Sequence, residues 1–126
     1  KISDDEIEFM TGEKDIKTGV KKLIDEYHIP FICATMGKNG SMAFFDGHIV
    51  EAAPFLRDDT VETTGAGDTF CACLLHDVLE HGINDRKDDD VKKMLTFANA
   101  AASLITTRKG ALRVMPEKGE VEAVIK

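Results

Sequence analysis

The stretch Glu62-Thr63-Thr64-Gly65-Ala66-Gly67-Asp68-Thr69-Phe70 is the most informative part of this 126-residue sequence. Two glycines precede a segment that is apolar nearly all round, which predicts a deeply buried helix over 69–81, ended by Gly82. Free N–H groups at a helix N-terminus, next to residues without side chains, form an anion-binding site. No Gly-Lys-Ser/Thr follows, as a P-loop requires, and Phe70 replaces the third small residue of a dinucleotide-binding fingerprint. The stretch therefore predicts an anion site of another type.

Asp68 is the unexpected residue in this turn, and two interpretations of it are open. A carboxylate near a helix start is often simple capping. However, Thr63 and Thr64 already offer capping hydroxyls. A phosphoryl group held by backbone amides, beside a carboxylate that accepts a hydroxyl proton, is the minimum for phosphoryl transfer to an alcohol.

The composition narrows the class of protein. Lys and Arg total 16 against 23 Asp and Glu, which gives a net charge of −7 and argues against nucleic-acid binding. No apolar run reaches the ~18 residues that span a bilayer, so we expect no membrane association. Three cysteines (Cys33, Cys71 and Cys73) do not make a disulfide framework, and they indicate a reducing, cytoplasmic compartment.

Cysteine and histidine spacing also argues against a metal centre built from these residues. Cys71-x-Cys73 lies in an apolar stretch, so we expect both side chains to pack in the interior. His76 and His81 are five residues apart and miss a common helix face. We interpret all four histidines as structural or surface residues: His28, His48, His76 and His81.

Periodicity and turn residues predict a mixed α/β arrangement with about three strands. The sheet is small, and the chain lacks an initiator Met, so we expect a piece of a larger domain. The predicted elements are a capping-box helix from Ser3 to Phe9, a helix over 13–27, a strand over 31–35, a turn at 37–40, a hairpin over 42–53 that turns at Asp46-Gly47, the helix over 69–81, a solvated loop at 86–90, a helix over 91–105, and a last helix with Pro116 at its first position.

The stretch Thr63–Phe70 resembles the signature of the ribokinase-like (PfkB) carbohydrate kinases. Segments along the whole chain resemble other family motifs in the family's order: Ser3-x-x-Glu6 for metal, Thr35–Gly40 for nucleotide, and Phe97–Ala102 with Thr107–Ala111 for nucleotide and cation. The resemblance implies an α/β fold over residues 1–126, namely the C-terminal half of a ribokinase-like three-layer α/β/α fold. The resemblance also implies that the family's N-terminal half, with most sugar-binding residues and the lid, lies outside these residues.

The resemblance also implies the catalytic roles. Asp68 would contact the acceptor sugar hydroxyl and take its proton, while the backbone amides of Gly65, Ala66 and Gly67 would form the anion hole for the transferring phosphoryl group. Glu6 would help to hold Mg²⁺ through water. The alternative for Glu6 is the capping box with Ser3, and one residue could serve both purposes.

For the nucleotide, the resemblance implies that Thr35, Gly37, Lys38 and Gly40 line ATP and that Asn99 lies near the adenine. A simply solvated side chain is an equal alternative for Lys38. An internal hydrogen bond is the alternative for Asn99, because it is the only strongly polar residue between Phe97 and Ala102.

A monovalent-cation (K⁺) site is a further implication. Its residues would be Glu62, Thr64, Ile105, Arg108 and Gly110. The sequence departs from the family twice, because Glu62 replaces the usual Asp and Val114 stands where a hydroxyl residue is frequent.

The expected function is that of an ATP-dependent sugar kinase, which transfers the γ-phosphoryl group of ATP to a sugar hydroxyl. Met36, the Asp46-Gly47 hairpin and Lys109-Gly110-Ala111 look most like bacterial fructokinases, so fructose is the best guess. The alternative acceptor substrates are 2-keto-3-deoxygluconate, ribose or a nucleoside. The alternative functions are a nucleotide-binding fragment without activity by itself and a domain without ligand. The expected partners are the sugar and ATP, with a homodimer of the full-length protein.

Overall fold

The computed structural model describes all residues, 1–126, as one four-stranded sheet with five α-helices. A two-residue strand at the start brings the number of strands to four rather than the predicted three. The elements are β1 (Ile2–Ser3), α1 (Asp4–Thr11), α2 (Ile16–Tyr27), β2 (Phe31–Thr35), β3 (Ser41–Phe45), β4 (His48–Ala52), α3 (Ala66–His81), α4 (Asp88–Ile105) and α5 (Lys118–Ile125), with short 3₁₀ turns at Gly37–Asn39 and Leu112–Val114.

The strands lie in the order β1-β2-β3-β4. β1 is parallel to β2, whereas β2, β3 and β4 form an antiparallel meander. The predicted hairpin turn between β3 and β4 is confirmed: Asp46 has φ 48° and Gly47 has φ 74°. Positive φ at both central residues is the requirement of the type I′ turn, a common two-residue connection of hairpins.

Helices cover both faces of this sheet, so the α/β/α layering is confirmed. One core joins alternate strand residues such as Ile32 and Phe44 to Ile7 of α1 and Val20 of α2. On the other face, the core comprises strand residues Cys33, Ala43, Phe45, Val50 and Ala52 with helix residues Phe70, Leu74, Val91, Met94, Leu95 and Ala98. A third cluster joins α4 to α5.

The first two helices have clear side-chain caps. Ser3 Oγ accepts from the Glu6 amide at 3.2 Å, and Glu6 Oε2 accepts from the Ser3 amide at 2.8 Å, which confirms the capping box. α2 begins at Ile16 instead of the predicted 13, because the Asp15 carboxylate accepts from the Thr18 amide at 2.9 Å and so sets the start.

The prediction that α3 is buried all round is wrong. Only Thr69, Phe70 and Leu74 are buried, whereas Leu75 and Leu79 are 59% and 85% exposed. α3 packs against α4 and the sheet with one side, and no element of the chain covers its other side.

The prediction of a solvated loop at 86–90 is wrong for Arg86. Its side chain is 5% exposed, and its Nη2 lies 2.6 Å from Oδ2 of Asp77. Nη1 of Arg86 also donates to the Gly82 carbonyl at 2.9 Å. This buried ion pair fastens the loop to α3, so that α4 begins at Asp88, inside the predicted loop.

The position predicted for Pro116 is also wrong, because α5 begins at Lys118, two residues later. The Glu117 amide donates to Oε2 of Glu120 at 2.7 Å, which makes Glu117 the N-cap and leaves Pro116 outside the helix.

The cysteines are unpaired, and they are less uniformly buried than predicted. Cys33 is buried and Cys73 packs between two clusters, whereas Cys71 is only half-buried. Burial raises the pKa of the Cys33 thiol to about 12 and that of Cys73 to about 11.

All four histidines lie at the surface, as predicted; His48, for example, pairs with Asp88 at 2.7 Å. No group of three His, Cys, Asp or Glu side chains is placed to hold a metal ion. None of the helices has the length and apolar character needed to cross a membrane.

Candidate active site

A cavity of about 520 Å³ lies where β2 ends and α3 begins. Its wall combines the β2–β3 loop, the loop after β4, the first turn of α3 and the second half of α4. Among the predicted site residues, it is lined by Thr35, Gly37, Lys38, Gly40, Ala66, Gly67 and Asn99. All five predicted nucleotide residues therefore come together, from segments that are far apart in sequence.

A larger cavity, of about 730 Å³, lies between α3, α4 and α5. It contains none of the predicted site residues. Seven predicted residues line the smaller cavity, and Gly65 and Asp68 lie outside its wall but adjoin Ala66 and Gly67 in sequence, so we take that cavity as the candidate site.

The turn before α3 requires a glycine at position 65. Gly65 has φ 82° and ψ −1°, which are the angles of the third residue of a type II turn. A Cβ at this position would lie 3.2 Å from Cδ1 of Ile105 and 3.1 Å from Cβ of Ala111. The backbone conformation therefore strains any other residue here, and a side chain would also have to displace Ile105 and Ala111 slightly.

The turn alters the predicted anion hole. The Ala66 amide donates to the Thr63 carbonyl at 3.2 Å and is not free for a ligand. The amides of Gly65, Gly67 and Asp68 have no acceptor within the chain. The free donors are therefore those of 65, 67 and 68 rather than the predicted 65, 66 and 67, at the positive end of a 16-residue helix.

Asp68 is the third residue of α3, directly after Gly67. Its carboxylate is exposed and makes no hydrogen bond or ion pair within the chain. The N-cap of α3 is Gly65, which has no side chain to cap the helix, and no hydroxyl of Thr63 or Thr64 replaces it. The simple capping interpretation of Asp68 is therefore not what the structure shows.

Lys1 is a residue of this site that the sequence did not indicate. It lines the cavity, and its Nζ lies 3.2 Å from the position that a Cβ on Gly67 would occupy. Because Gly67 has no side chain, the ammonium group of Lys1 has room to lie above the first turn of α3. An isolated lysine carries no motif, so its role depends on the fold.

Glu6 lies beside the cavity rather than in its wall, whereas Ser3 and Asp4 line it. Hydrogen bonds from Ser3, first from its backbone amide, hold the pKa of Glu6 below the usual value of a glutamate. The carboxylate is therefore ionised at neutral pH. Exposed carboxylate oxygens of this kind suit a hydrated Mg²⁺, which takes few protein ligands.

Asn99 makes the internal hydrogen bonds that were its alternative interpretation. Its Nδ2 donates to the carbonyl of Ala53 at 3.0 Å and to that of Ala52 at 3.3 Å. Asn99 nevertheless lines the cavity, so it both fastens the end of β4 to α4 and faces the space that a ligand would fill.

The residues predicted for a monovalent cation lie on two loops that are in contact. Oε1 of Glu62 accepts from the Gly110 amide at 2.5 Å, and the Glu62 amide donates to the carbonyl of Thr106 at 3.1 Å. The Arg108 amide donates to the Ile105 carbonyl at 3.1 Å. Thr64 adjoins Gly65, which packs against Ile105.

The side chain of Arg108 makes contacts that are separate from those of its backbone amide. Its guanidinium donates to the Val114 carbonyl at 3.0 Å and to Glu120 at 2.6 Å. It therefore holds the C-terminal segment in place and lies outside the cavity wall.

The fold and this cavity define an α/β protein in which a glycine turn at a helix start, a typical anion-binding arrangement, faces a space large enough for a small molecule. The model of the pfkB family carbohydrate kinases matches residues 1–118. The chain belongs to this family, and the resemblance of its motifs is thereby confirmed.

Similar sequences include plant and bacterial fructokinases. The chain is 31% identical over 126 residues to a probable fructokinase-2 of Arabidopsis thaliana, of which it covers 38%. It is 34% identical over 124 residues to a fructokinase of Klebsiella pneumoniae, of which it covers 39%. The chain therefore spans well under half the length of these relatives.

Solved structures agree on the fold. A fructokinase from Vibrio cholerae O395, in its fructose-, ADP- and calcium-bound form, has a TM-score of 0.82 and 25% identity, with 98% of this chain and 39% of that one covered. A ribokinase of Arabidopsis thaliana complexed with ribose and ATP has a TM-score of 0.79 and 27% identity, with 100% and 41% covered.

Proposed function

We propose that this chain supplies the nucleotide site and the catalytic aspartate of an ATP-dependent sugar kinase, whose acceptor is fructose. The observation that carries the proposal is the free carboxylate of Asp68 beside the unpartnered amides of Gly65 and Gly67. Gly67 lines the cavity of about 520 Å³, and Asp68 follows it directly in the first turn of α3. The fructokinase relatives support the choice of sugar.

The proposed chemistry is phosphoryl transfer to an alcohol. The amides at the start of α3 and the Nζ of Lys1 would hold the transferring group and stabilise its charge. Asp68 would orient the sugar hydroxyl and accept its proton as the loose transition state develops. Lys38 and the glycines beside it would line the rest of the nucleotide.

Mg²⁺ would be held through water by Glu6, with Asp4 close by, and would neutralise charge on the phosphates. The monovalent-cation site between residues 62–64 and 105–110 stays a prediction. The contact of these two loops supports it, because a cation there would find the second oxygen of Glu62 and backbone carbonyls.

The test of this proposal is Asp68→Asn in the whole kinase that contains this chain. We expect kcat to fall about 10²- to 10⁴-fold, since the change removes a general base, while ATP affinity stays within a few-fold. Asp25→Asn, at an exposed position of α2, is the matched control. A kcat within a few-fold of the original would overturn the role of Asp68.

The acceptor is tested by comparing phosphorylation of fructose, ribose, 2-keto-3-deoxygluconate and a nucleoside. Activity with none of them would contradict the class of enzyme. We also infer that the 126-residue chain by itself binds ATP without appreciable turnover, because the relatives it matches are much longer. Phosphorylation by this chain at the rate of the whole kinase would contradict that inference.

A further inference from the structure

The candidate site concentrates positive charge in an acidic chain. Lys1, Lys38 and Arg57 line the cavity, against the single carboxylate of Asp4. The chain as a whole has a net charge of −7. Such a local excess of positive charge attracts a polyanion and repels other cations. Two of these cations are flexible lysines, whereas the third has a fixed geometry.

Arg57 is held in place by Asp59. Its Nε donates to Oδ1 of Asp59 at 2.8 Å, and its Nη2 donates to Oδ2 at 2.9 Å. The Arg57 side chain is 28% exposed. A guanidinium carries five N–H donors in a rigid plane. Asp59 occupies the edge of the guanidinium formed by Nε and Nη2. Both N–H groups of Nη1 and the second N–H group of Nη2 therefore have no partner in the chain.

The loop that carries Arg57 is irregular, yet it is fastened at both ends. Beyond Asp59, the amides of Val61 and Glu62 donate to the Thr106 carbonyl at the end of α4. Before Arg57, the carbonyls of Ala52 and Ala53 accept from Asn99. The ion pair therefore lies on a segment whose position is set by α4.

From this geometry we propose that Arg57 binds the polyphosphate of the nucleotide with the free Nη1–Nη2 edge of its guanidinium, and that Asp59 is a positioning residue that orients this edge. Two parallel N–H donors match two oxygens of a phosphate, which a lysine ammonium cannot reproduce. The inference rests on the proposed function, since it requires that the cavity bind a nucleotide.

The ion pair persists across the neutral pH range. The hydrogen bonds with Asp59 raise the pKa of Arg57, and the same bonds lower the pKa of Asp59. Asp58, Lys1, Lys38 and Asp4 are the other charged groups of the loop and of the cavity wall. Both partners of the ion pair therefore stay charged at any pH where the kinase would work.

The test compares ATP, ADP and adenosine binding to the chain by titration calorimetry, for Arg57→Gln, Arg57→Lys and the control Arg113→Gln, an exposed arginine outside the cavity. We expect Arg57→Gln to weaken the binding of ATP and ADP about 10- to 100-fold and the binding of adenosine less than about two-fold. Arg57→Lys is expected to restore only part of this loss, because it keeps the charge without the fork.

Asp59 is tested with Asp59→Asn and Asp59→Glu. We expect Asp59→Asn to weaken ATP binding a few-fold without a change in thermal unfolding. Asp59→Glu is expected to recover part of the ATP affinity. ATP binding within two-fold of the original in Arg57→Gln, or an equal loss for adenosine, would overturn the inference while nucleotide binding itself stands. Absence of ATP binding by the unmodified chain and by the whole kinase would instead overturn the proposed function, and with it this inference.

Discussion

The carboxylate of Glu62 accepts a hydrogen bond from the backbone amide of Gly110, with 2.5 Å between Oε1 and the nitrogen. This contact joins the segment before the glycine turn to the loop after α4, together with the hydrogen bonds from the amides of Val61 and Glu62 to the Thr106 carbonyl. Gly65 itself packs against Ile105 and Ala111, so the geometry of the anion-binding turn depends on residues at least 40 positions further along the chain.

Glu62→Ala should lower the free energy of unfolding by about 1–3 kcal/mol, because it leaves the Gly110 amide without its charged acceptor. Glu62→Gln keeps an acceptor oxygen and should cost less. Chemical denaturation of both variants measures the difference, with Glu8→Ala on the exposed side of α1 as the control. Equal effects of the variants at 62 and 8 would show that the contact does not fix the loops.

Gly40→Ala should be strongly destabilising. Gly40 has φ 90°, and a Cβ there would lie 2.2 Å from the carbonyl oxygen of Ala52. Strain at positive φ costs about 1–3 kcal/mol, and the clash with backbone adds to it. Thermal unfolding should therefore show a loss greater than about 3 kcal/mol.

The matched control for this glycine is Gly12→Ala. Gly12 has φ 74° but no atom within 4 Å of the position of a Cβ. Gly12→Ala should therefore lower the free energy of unfolding only through backbone strain, by about 1 kcal/mol. Losses of the same size at Gly40 and Gly12 would mean that close packing at Gly40 is unimportant.

Leu74 and Leu79 lie on one helix and differ in burial, at 8% and 85% exposed. Leu74→Ala should cost about 2–5 kcal/mol, since it opens a space in the core between α3 and the sheet. Leu79→Ala should stay within about 0.5 kcal/mol for this chain by itself. A large loss at Leu79 would show that this side of α3 is covered in solution.

The pH dependence of stability should carry a contribution from Glu6. Its pKa is lowered in the folded chain, so the ionised carboxylate stabilises the fold above its unfolded pKa of ~4.3–4.5. The contribution disappears as the pH falls through the lower, folded pKa. Hence the unmodified chain should exceed Glu6→Gln in stability near about pH 7 and lose this advantage towards about pH 2.

Urea denaturation at several pH values measures this contribution. Asp5→Asn, in the same helical turn, is the control for a general effect of charge at the start of α1. A difference between the unmodified chain and Glu6→Gln that is constant with pH would contradict the explanation.

Local patterns predicted most of the fold. The Ser3–Glu6 capping box, the Asp46-Gly47 turn and the apolar strand from Phe31 each depend on neighbours in sequence, and each lies where it was expected. The first strand was missed because two residues carry no periodicity, and their pairing with Ala34 and Thr35 is decided by the sheet.

The burial of α3 could not be predicted from its own residues. An all-round apolar helix indicates that partners exist on every side, but not that this chain supplies them. Arg86 was misjudged for a similar reason, because its partner Asp77 lies a helical turn before the end of α3.

The cavity wall combines residues that a motif names with residues that only the fold brings in. Gly67 and Gly40 belong to motifs, and both line the cavity. Lys1 and Arg57 belong to none, since an isolated basic residue has no pattern. Their places in the cavity wall follow from sheet order and from the ion pair with Asp59.

The two hydrogen bonds of Asn99 have a consequence for the choice of base. Because both amide hydrogens are donated to the carbonyls of Ala52 and Ala53, only Oδ1 is left to meet a ligand, and it can only accept. A purine with an exocyclic amine can donate a hydrogen bond to this oxygen. A purine with a carbonyl at the same position would instead bring its own acceptor oxygen against Oδ1, which is unfavourable. A nucleotide seated against Asn99 should therefore be discriminated by its base, with ATP preferred to GTP in a competition assay. Asn99→Asp should weaken the attachment of β4 to α4, because a carboxylate has no N–H to donate to the carbonyls of Ala52 and Ala53, while it keeps an acceptor for the exocyclic amine.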